Sequence, residues 1–408
     1  MRRFPILSGF ALIATLASAP LAGVDGGGYS AEIAAPAAAD AEKSPLPVPV
    51  PPNEKAAPVA LLIDLSSGQT LFERDSTRRF VPASLTKVMT LFTAFELMKA
   101  GAISPDQRII ITPGVAREWS GRGSSLFLKA GDNVSIDQLL HGIATVSAND
   151  GSISLAQGAA GSVEKWTDLM NGYARDLGMA DSHFSTPNGW MDEGRTFTTA
   201  HDLALLGRAM VERHPWLYQR YIGKKALASG GIAQQNHDPL IGVFQGADGI
   251  KTGFTRQAGY GYLGSAEQGG RRLMMVVAAS PSDAARAKSA KDLMNWGFAA
   301  FSSRKMLDEG ATVAEARIQG GAQRSVKLIA DRALFATLPR NAAPQQTRYQ
   351  LHYEGPLEAP ISSGQLVAQL EITTDGSPPI TIPLYAGNDI ARANSWQRLR
   401  NGLMGLVS

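Results

Sequence analysis

The sequence predicts an α+β protein, an antiparallel sheet with helices followed by a small all-β domain. Strand-like apolar runs stand at both ends of residues 58–302, with helical periodicity between them. That order brings the first and last runs together in one sheet. From about Met306 the texture shifts to short alternations broken by turn residues, which marks an all-β unit. With 408 residues, 44% hydrophobic and 18% charged, the chain is long and apolar enough for two such cores.

Residues 1–22 read as a secretory signal. Arg2 and Arg3 give a positive start, Ile6 to Leu16 a short apolar core, and Ala17-Ser18-Ala19 small residues for cleavage. Pro20 disfavours a cut at Ala19, so a site near Ala22 stands as the alternative. Residues 23–57 turn Gly-, Ala- and then Pro-rich (Pro45, Pro47, Pro49, Pro51, Pro52), a composition suited to an extended tether.

Order is expected from Pro58. Val59 to Asp64 and Gln69 to Glu73, joined through Ser66-Ser67-Gly68, form a hairpin. Pro82 precedes a helix with Leu85, Val88, Phe92 and Phe95 at helical spacing and a stop at Gly101. Val134 to Arg213 is mostly helical. Strands return at Gly249 to Thr255, Gly259 to Ala266 and Leu273 to Ala279, and a last helix runs from Ala284 to Phe298. A β domain over 303–386 follows, with Val326 to Ile329, Leu366 to Ile372 and a turn at Asp375-Gly376. Residues 387–408 form an amphipathic segment with Trp396, Leu399, Leu403 and Leu406 on one face and Arg392, Arg398 and Arg400 nearby. Three fates stay open for it, lying on a membrane surface, packing against the β domain, or disorder.

Several function classes are excluded by composition. A formal charge of +3 gives no basic field for nucleic acid. The absence of cysteine removes disulfides, thiolate catalysis and thiolate metal sites. The six histidines are dispersed, without a His-x-x-x-His pair, and read as surface or capping residues. No Gly-x-Ser-x-Gly elbow is present. Neither metal nor cofactor is expected. Past the N-terminus no uncharged apolar run reaches about 18 residues, so no spanning helix is expected.

Chemistry concentrates in three stretches. Ser84-Leu85-Thr86-Lys87 opens a helix, and residues three apart share a face. Lys87 can therefore take the proton of the Ser84 hydroxyl, provided burial or another cation lowers its own pKa. Ser147-Ala148-Asn149 lies where an apolar segment meets a polar corner, and Lys251-Thr252-Gly253 sits in a strand with glycine where a substrate backbone would approach. Alone, a Ser-x-x-Lys pattern is weak. This trio in this order is a set shared by penicillin-binding proteins and class A β-lactamases. Asp150 after Asn149 reads as a helix-start or surface residue.

The chain resembles the low-molecular-mass D-alanyl-D-alanine carboxypeptidases, a branch of the penicillin-binding proteins. The likeness runs through Pro82 to Thr90, Phe127 to Asp132, Asp248 to Gly253 and Ala258-Gly259-Tyr260. The resemblance implies a penicillin-recognising serine transpeptidase/β-lactamase-like domain over 58–302. It implies Ser84 as nucleophile, Lys87 as its base, and Ser147, helped by Lys251, as proton relay to the leaving D-alanine. Asn149 would hold the substrate amide. Thr252 and Arg286, the arginine that precedes the last helix in family members, would bind the terminal carboxylate. Gly253 would let substrate approach, and the N–H groups of Ser84 and Phe254 would form the oxyanion hole.

The implied partners are peptidoglycan stem peptides, β-lactams as covalent inhibitors, and the outer face of the inner membrane through the C-terminal segment. The implied location is the periplasm. Phe254 departs from relatives, which often carry His, Thr or Ser there, and Asn236-His237-Asp238 departs from their Asn-Arg-Asn type turn and receives no catalytic role. A β-lactamase would need a Glu-x-x-Leu-Asn loop between the second and third motifs, and none is present. A D,D-endopeptidase and a non-catalytic penicillin-binding wall protein remain as alternatives.

Overall fold

The computed structural model describes residues 51–340, 347–374 and 380–397. The expected signal, most of the expected linker, the turn at Asp375-Gly376 and the last residues of the amphipathic segment lie outside them. The end of the expected linker is docked rather than extended. Arg74 donates to Pro52 O and Ala57 O at 3.0 Å each, and Ala57 is fully buried.

The chain divides into two compact units, the larger built from residues up to 303 together with a short return at 337–340. Its frame is a five-stranded antiparallel sheet. In spatial order the strands are Gln69–Arg74, Val59–Asp64, Arg271–Ser280, Gly259–Gln268 and Ala247–Thr255. The first hairpin therefore joins the last three strands through Val59–Asp64 and Arg271–Ser280, paired from Val59↔Ala278 to Asp64↔Leu273. These strands read as unbroken apolar runs because both faces of the sheet are covered. Val59, Leu61, Met274, Val276 and Ala278 face one core with helix residues Val88, Leu203 and Met210. The alternate residues Ala60, Leu62, Leu273, Met275 and Val277 face another, with Ala290, Leu293 and Met294 of helix Asp283–Ala300.

Helix Thr86–Lys99 is buried over ten consecutive residues, Thr86 to Phe95, as expected of a helix enclosed on all sides. His214 beside it stands at the cap position between helices Ala200–Arg213 and Pro215–Tyr221, in keeping with a capping residue, but is buried rather than superficial. It is 4% exposed and shares a 2.8 Å hydrogen bond with Glu96. Short elements missed by the sequence reading include helix Pro113–Trp119 and hairpin Ala226–Ser229 with Ile232–Gln235.

The smaller unit contains a six-stranded sheet in the order Thr347–His352, Leu366–Thr374, Ile380–Ala386, Ser325–Ile329, Thr312–Gln319 and Leu357–Glu358. Only the last pairing is parallel. Alternate residues such as Val326, Leu328, Leu370, Ile372, Ile382 and Leu384 build its own core.

Candidate active site

The chain enters the site through the 3-10 turn Ala83–Leu85, which carries Ser84 and runs directly into helix Thr86–Lys99. Lys87 then lies one turn on, fully buried, with Nζ 2.8 Å from Ser84 Oγ. Two further oxygens complete its surroundings, Asn149 Oδ1 at 2.8 Å and the Asn188 carbonyl at 2.7 Å. Both are acceptors only. A neutral amine has two hydrogens and one lone pair, so it donates to these two oxygens and turns the lone pair toward the Ser84 hydroxyl. Burial, then the charge of Lys251, pushes the Lys87 pKa well below the ordinary lysine range, with Asp150 opposing. Position and protonation thus agree for a base.

The second stretch is a corner between two helices. Helix Ile136–Val146 starts from a Ser135/Gln138 capping box and stops at Ser147, which is left-handed with φ 63° and ψ 34°. Helix Asn149–Ala160 begins two residues later. The corner buries Ser147 and hands Asn149 to Lys87, and the Asn149 Nδ2 donates to the Arg122 carbonyl at 2.9 Å. Ala83, Phe127 and Ser147 are non-glycine residues with positive φ. Strain of this kind gathers at working sites.

The third stretch is the outer strand Ala247–Thr255. Glycine at 253 is a steric requirement, since a Cβ there would stand 2.7 Å from Pro82 O and 3.1 Å from Leu85 N. The strand therefore lies flat against the turn that carries Ser84. Lys251 is 4% exposed and its Nζ donates to Thr252 O at 2.8 Å. Burial first, then Arg286, lowers its pKa to about 7, while Asp238 opposes. Thr252 is buried, whereas Phe254 is 48% exposed and stacks on Tyr260 at 4.1 Å.

Arg286 corrects the sequence expectation. It lies within helix Asp283–Ala300, in the first turn, rather than before it. There it is buried, its guanidinium 5.8 Å from the Tyr260 ring and paired with Asp283 at 2.5 Å.

Four contributors escaped the sequence reading. Asn188 acts through a backbone carbonyl, which no residue type reveals. Gly189 has φ +70° and a Cβ there would fall 1.8 Å from Ala83 O, so this loop is seated on the nucleophile turn. Asp150 does start a helix but is fully buried, not superficial. It accepts from Ser125 Oγ at 2.6 Å, Leu126 N at 2.9 Å and Leu128 N at 3.1 Å. Asp238, to which the sequence assigns no role, is close enough to raise the Lys251 pKa. Its Oδ1 accepts from Leu240 N, Ile241 N and Tyr262 OH at 2.9, 3.1 and 3.0 Å.

With this geometry in hand, comparison with known proteins is direct. Residues 47–282 match the D-alanyl-D-alanine carboxypeptidase family, and residues 301–392 match the penicillin-binding protein 5 C-terminal domain. The D-alanyl-D-alanine carboxypeptidase DacA of Haemophilus influenzae is 31% identical over 87% of this chain and 90% of its own. DacC of Escherichia coli is 34% identical over 84% and 86%. Penicillin-binding protein 5 of Haemophilus influenzae superposes with a TM-score of 0.73 at 31% identity, covering 84% of this chain and all (100%) of that one. Penicillin-binding protein D2 of Listeria monocytogenes, solved in an ampicillin-bound form, gives a TM-score of 0.54 at 29% identity, covering 60% and 98%.

Proposed function

The chain belongs to the D-alanyl-D-alanine carboxypeptidase family, and from that premise we propose how its residues remove the terminal D-alanine of a peptidoglycan stem. It is a serine-type D-Ala-D-Ala carboxypeptidase of the low-molecular-mass penicillin-binding proteins. β-Lactams are its covalent ligands by the same kinship.

Ser84 Oγ gives its proton to neutral Lys87 and attacks the carbonyl carbon of the penultimate D-alanine. The N–H groups of Ser84 and Phe254 receive the oxyanion, a role worth most where donors are fixed before charge appears. The C–N bond then breaks as Ser147 gives its proton to the leaving nitrogen and takes one back from protonated Lys251. Thr252 and Arg286 hold the terminal carboxylate and Asn149 the substrate amide. On hydrolysis water adds to the acyl carbon, the water proton restores Lys251, and Lys87 returns its proton to Ser84. The observation that carries this reading is Lys87 Nζ among three oxygens, only one of which has a proton to give.

The test is D-alanine release from a diacylated D-Ala-D-Ala peptide, with fluorescent penicillin labelling in parallel. Ser84→Ala is expected to abolish both. A label that persists on the folded variant moves the nucleophile elsewhere.

We also place its work in the periplasm, supported by the charged and apolar start at Arg2 to Leu16. Fractionation of cells checks this, and a cytosolic pool of full-length chain would reject it. Contact with the outer face of the inner membrane is proposed for residues 387–408, where Trp396 is 73% exposed. Flotation with anionic liposomes, with and without that segment, decides it; equal binding removes the proposal.

A further inference from the structure

The loop that accepts a hydrogen bond from Asn149 carries a cation that the reaction does not use. The Arg122 guanidinium carbon lies 5.1 Å from the Trp119 ring and 4.9 Å from the Trp190 ring. The two indoles meet edge to face at 5.7 Å. This cluster is bonded into the catalytic frame at two points. The Arg122 carbonyl accepts from Asn149 Nδ2 at 2.9 Å, and a Cβ at Gly123 would stand 2.9 Å from that same nitrogen and 3.2 Å from Trp190. Trp190 in turn follows Asn188 and Gly189, the loop that accepts from Lys87 and rests on Ala83.

The charge is held but not consumed. Cation–π contact with two indole rings holds the guanidinium in place. Its ion partner Glu118 is 3.6 Å away, with side-chain exposures of 46% and 58% for Arg122 and Glu118. An exposed pair of this kind contributes little and is screened by salt. The result is a preorganised fork suited to a carboxylate.

Which carboxylate follows from the two sides of the cleft. The leaving D-alanine carboxylate belongs with Thr252 and Arg286, so a cation beside Asn149 faces the acyl side of the substrate. Stem peptides bear carboxylates there, on the γ-linked glutamyl residue and on a diamino-diacid third residue. We propose that Arg122, held by Trp119 and Trp190, is a specificity-determining residue that pairs with a stem-peptide carboxylate upstream of D-Ala-D-Ala. The proposal rests on the carboxypeptidase reading and deepens it.

The experiment compares kcat/KM for the pentapeptide with both upstream carboxylates against peptides amidated at the glutamyl or at the third residue. Wild type should favour one free carboxylate by about tenfold, the scale of a charged hydrogen bond, and added salt should shrink that ratio. Arg122→Gln should bring the ratio close to one, and Arg122→Lys should restore part of it. Because the readout is a ratio within one variant, a general loss of activity does not mimic the result. The arm that loses the preference identifies the carboxylate. A wild-type ratio of one in both arms, or a preference that survives Arg122→Gln, overturns the proposal. If wild type released no D-alanine at all, the carboxypeptidase reading would fail by itself. Calorimetric binding of the same peptides to Ser84→Ala, with and without Arg122→Gln, then still decides the carboxylate pairing.

Discussion

Asn149 Oδ1 and Lys87 Nζ meet at 2.8 Å across a sequence separation of 62 residues. Because that oxygen only accepts, Asn149 directs an amine proton away from Ser84 without adding negative charge. Asn149→Asp would add the charge, favour the ammonium form and raise the Lys87 pKa. Acylation by penicillin near neutral pH should fall about a hundredfold, and the acid limb of its pH profile should move to higher pH. A slower rate with an unmoved limb would mean that Asn149 acts by packing alone.

The two buried amines set opposite limbs of the pH profile. The rate rises as Lys87, held low by burial and by Lys251, loses its proton. It falls as Lys251, at about 7, loses the proton it uses. Lys251 faces Arg286, which lowers its pKa, Asp238, which raises it, and the Lys87 amine and His237. Asp238→Asn removes the opposing negative charge, so the alkaline limb of kcat/KM should shift to lower pH while the acid limb shifts little. An upward shift would assign that limb to another group.

Asp150 offers the converse of Asn149→Asp. Its charge is one cause holding the Lys87 pKa up, so Asp150→Asn should move the acid limb to lower pH. The same change replaces one carboxylate oxygen by an NH2, which then faces either Leu128 N and Ser125 Oγ or Leu126 N and Gly151 N, and should lower stability by about 2–4 kcal/mol. Denaturant midpoints and pH-rate curves measured together check both effects.

Gly253→Ala tests the seating of the outer strand. The added methyl would meet Pro82 O at 2.7 Å, and backbone oxygen cannot swing aside. The strand must lift from the Ser84 turn, and displacement of about 1 Å costs on the order of a hundredfold in rate. Acylation should drop by that order, and full acylation of the variant would show that the strand does not gate the nucleophile.

Much of this was legible in sequence because its signals are local. The run from Val59 to Asp64 is apolar at every residue but the last, and Ser84 and Lys87 announce each other by a three-residue step. The rest depends on groups that sequence does not label. The oxygen of Asn188 that receives a Lys87 proton belongs to the main chain, which every residue type shares. Asp150 looks superficial beside Asn149 until the loop at Ser125 to Leu128 folds over it. Asp238 stands 13 positions before Lys251 and reaches it only because the chain turns between hairpin and outer strand. Family likeness puts Arg286 before a helix, whereas Ser282 caps that helix by accepting from Ala285 N and so starts it upstream.

The left-handed residues Ala83 (φ 48°) and Ser147 (φ 63°) are the neighbour of the nucleophile and the proton relay itself. Each keeps a side chain in a conformation that costs about 1 kcal/mol. Glycine would relax either corner. A screen for heat-hardy variants of this protein should therefore pick up Ala83→Gly and Ser147→Gly early, and both should be sluggish, the first through its backbone and the second also through loss of the relaying hydroxyl. Toughness and turnover pull against each other at these two backbone positions.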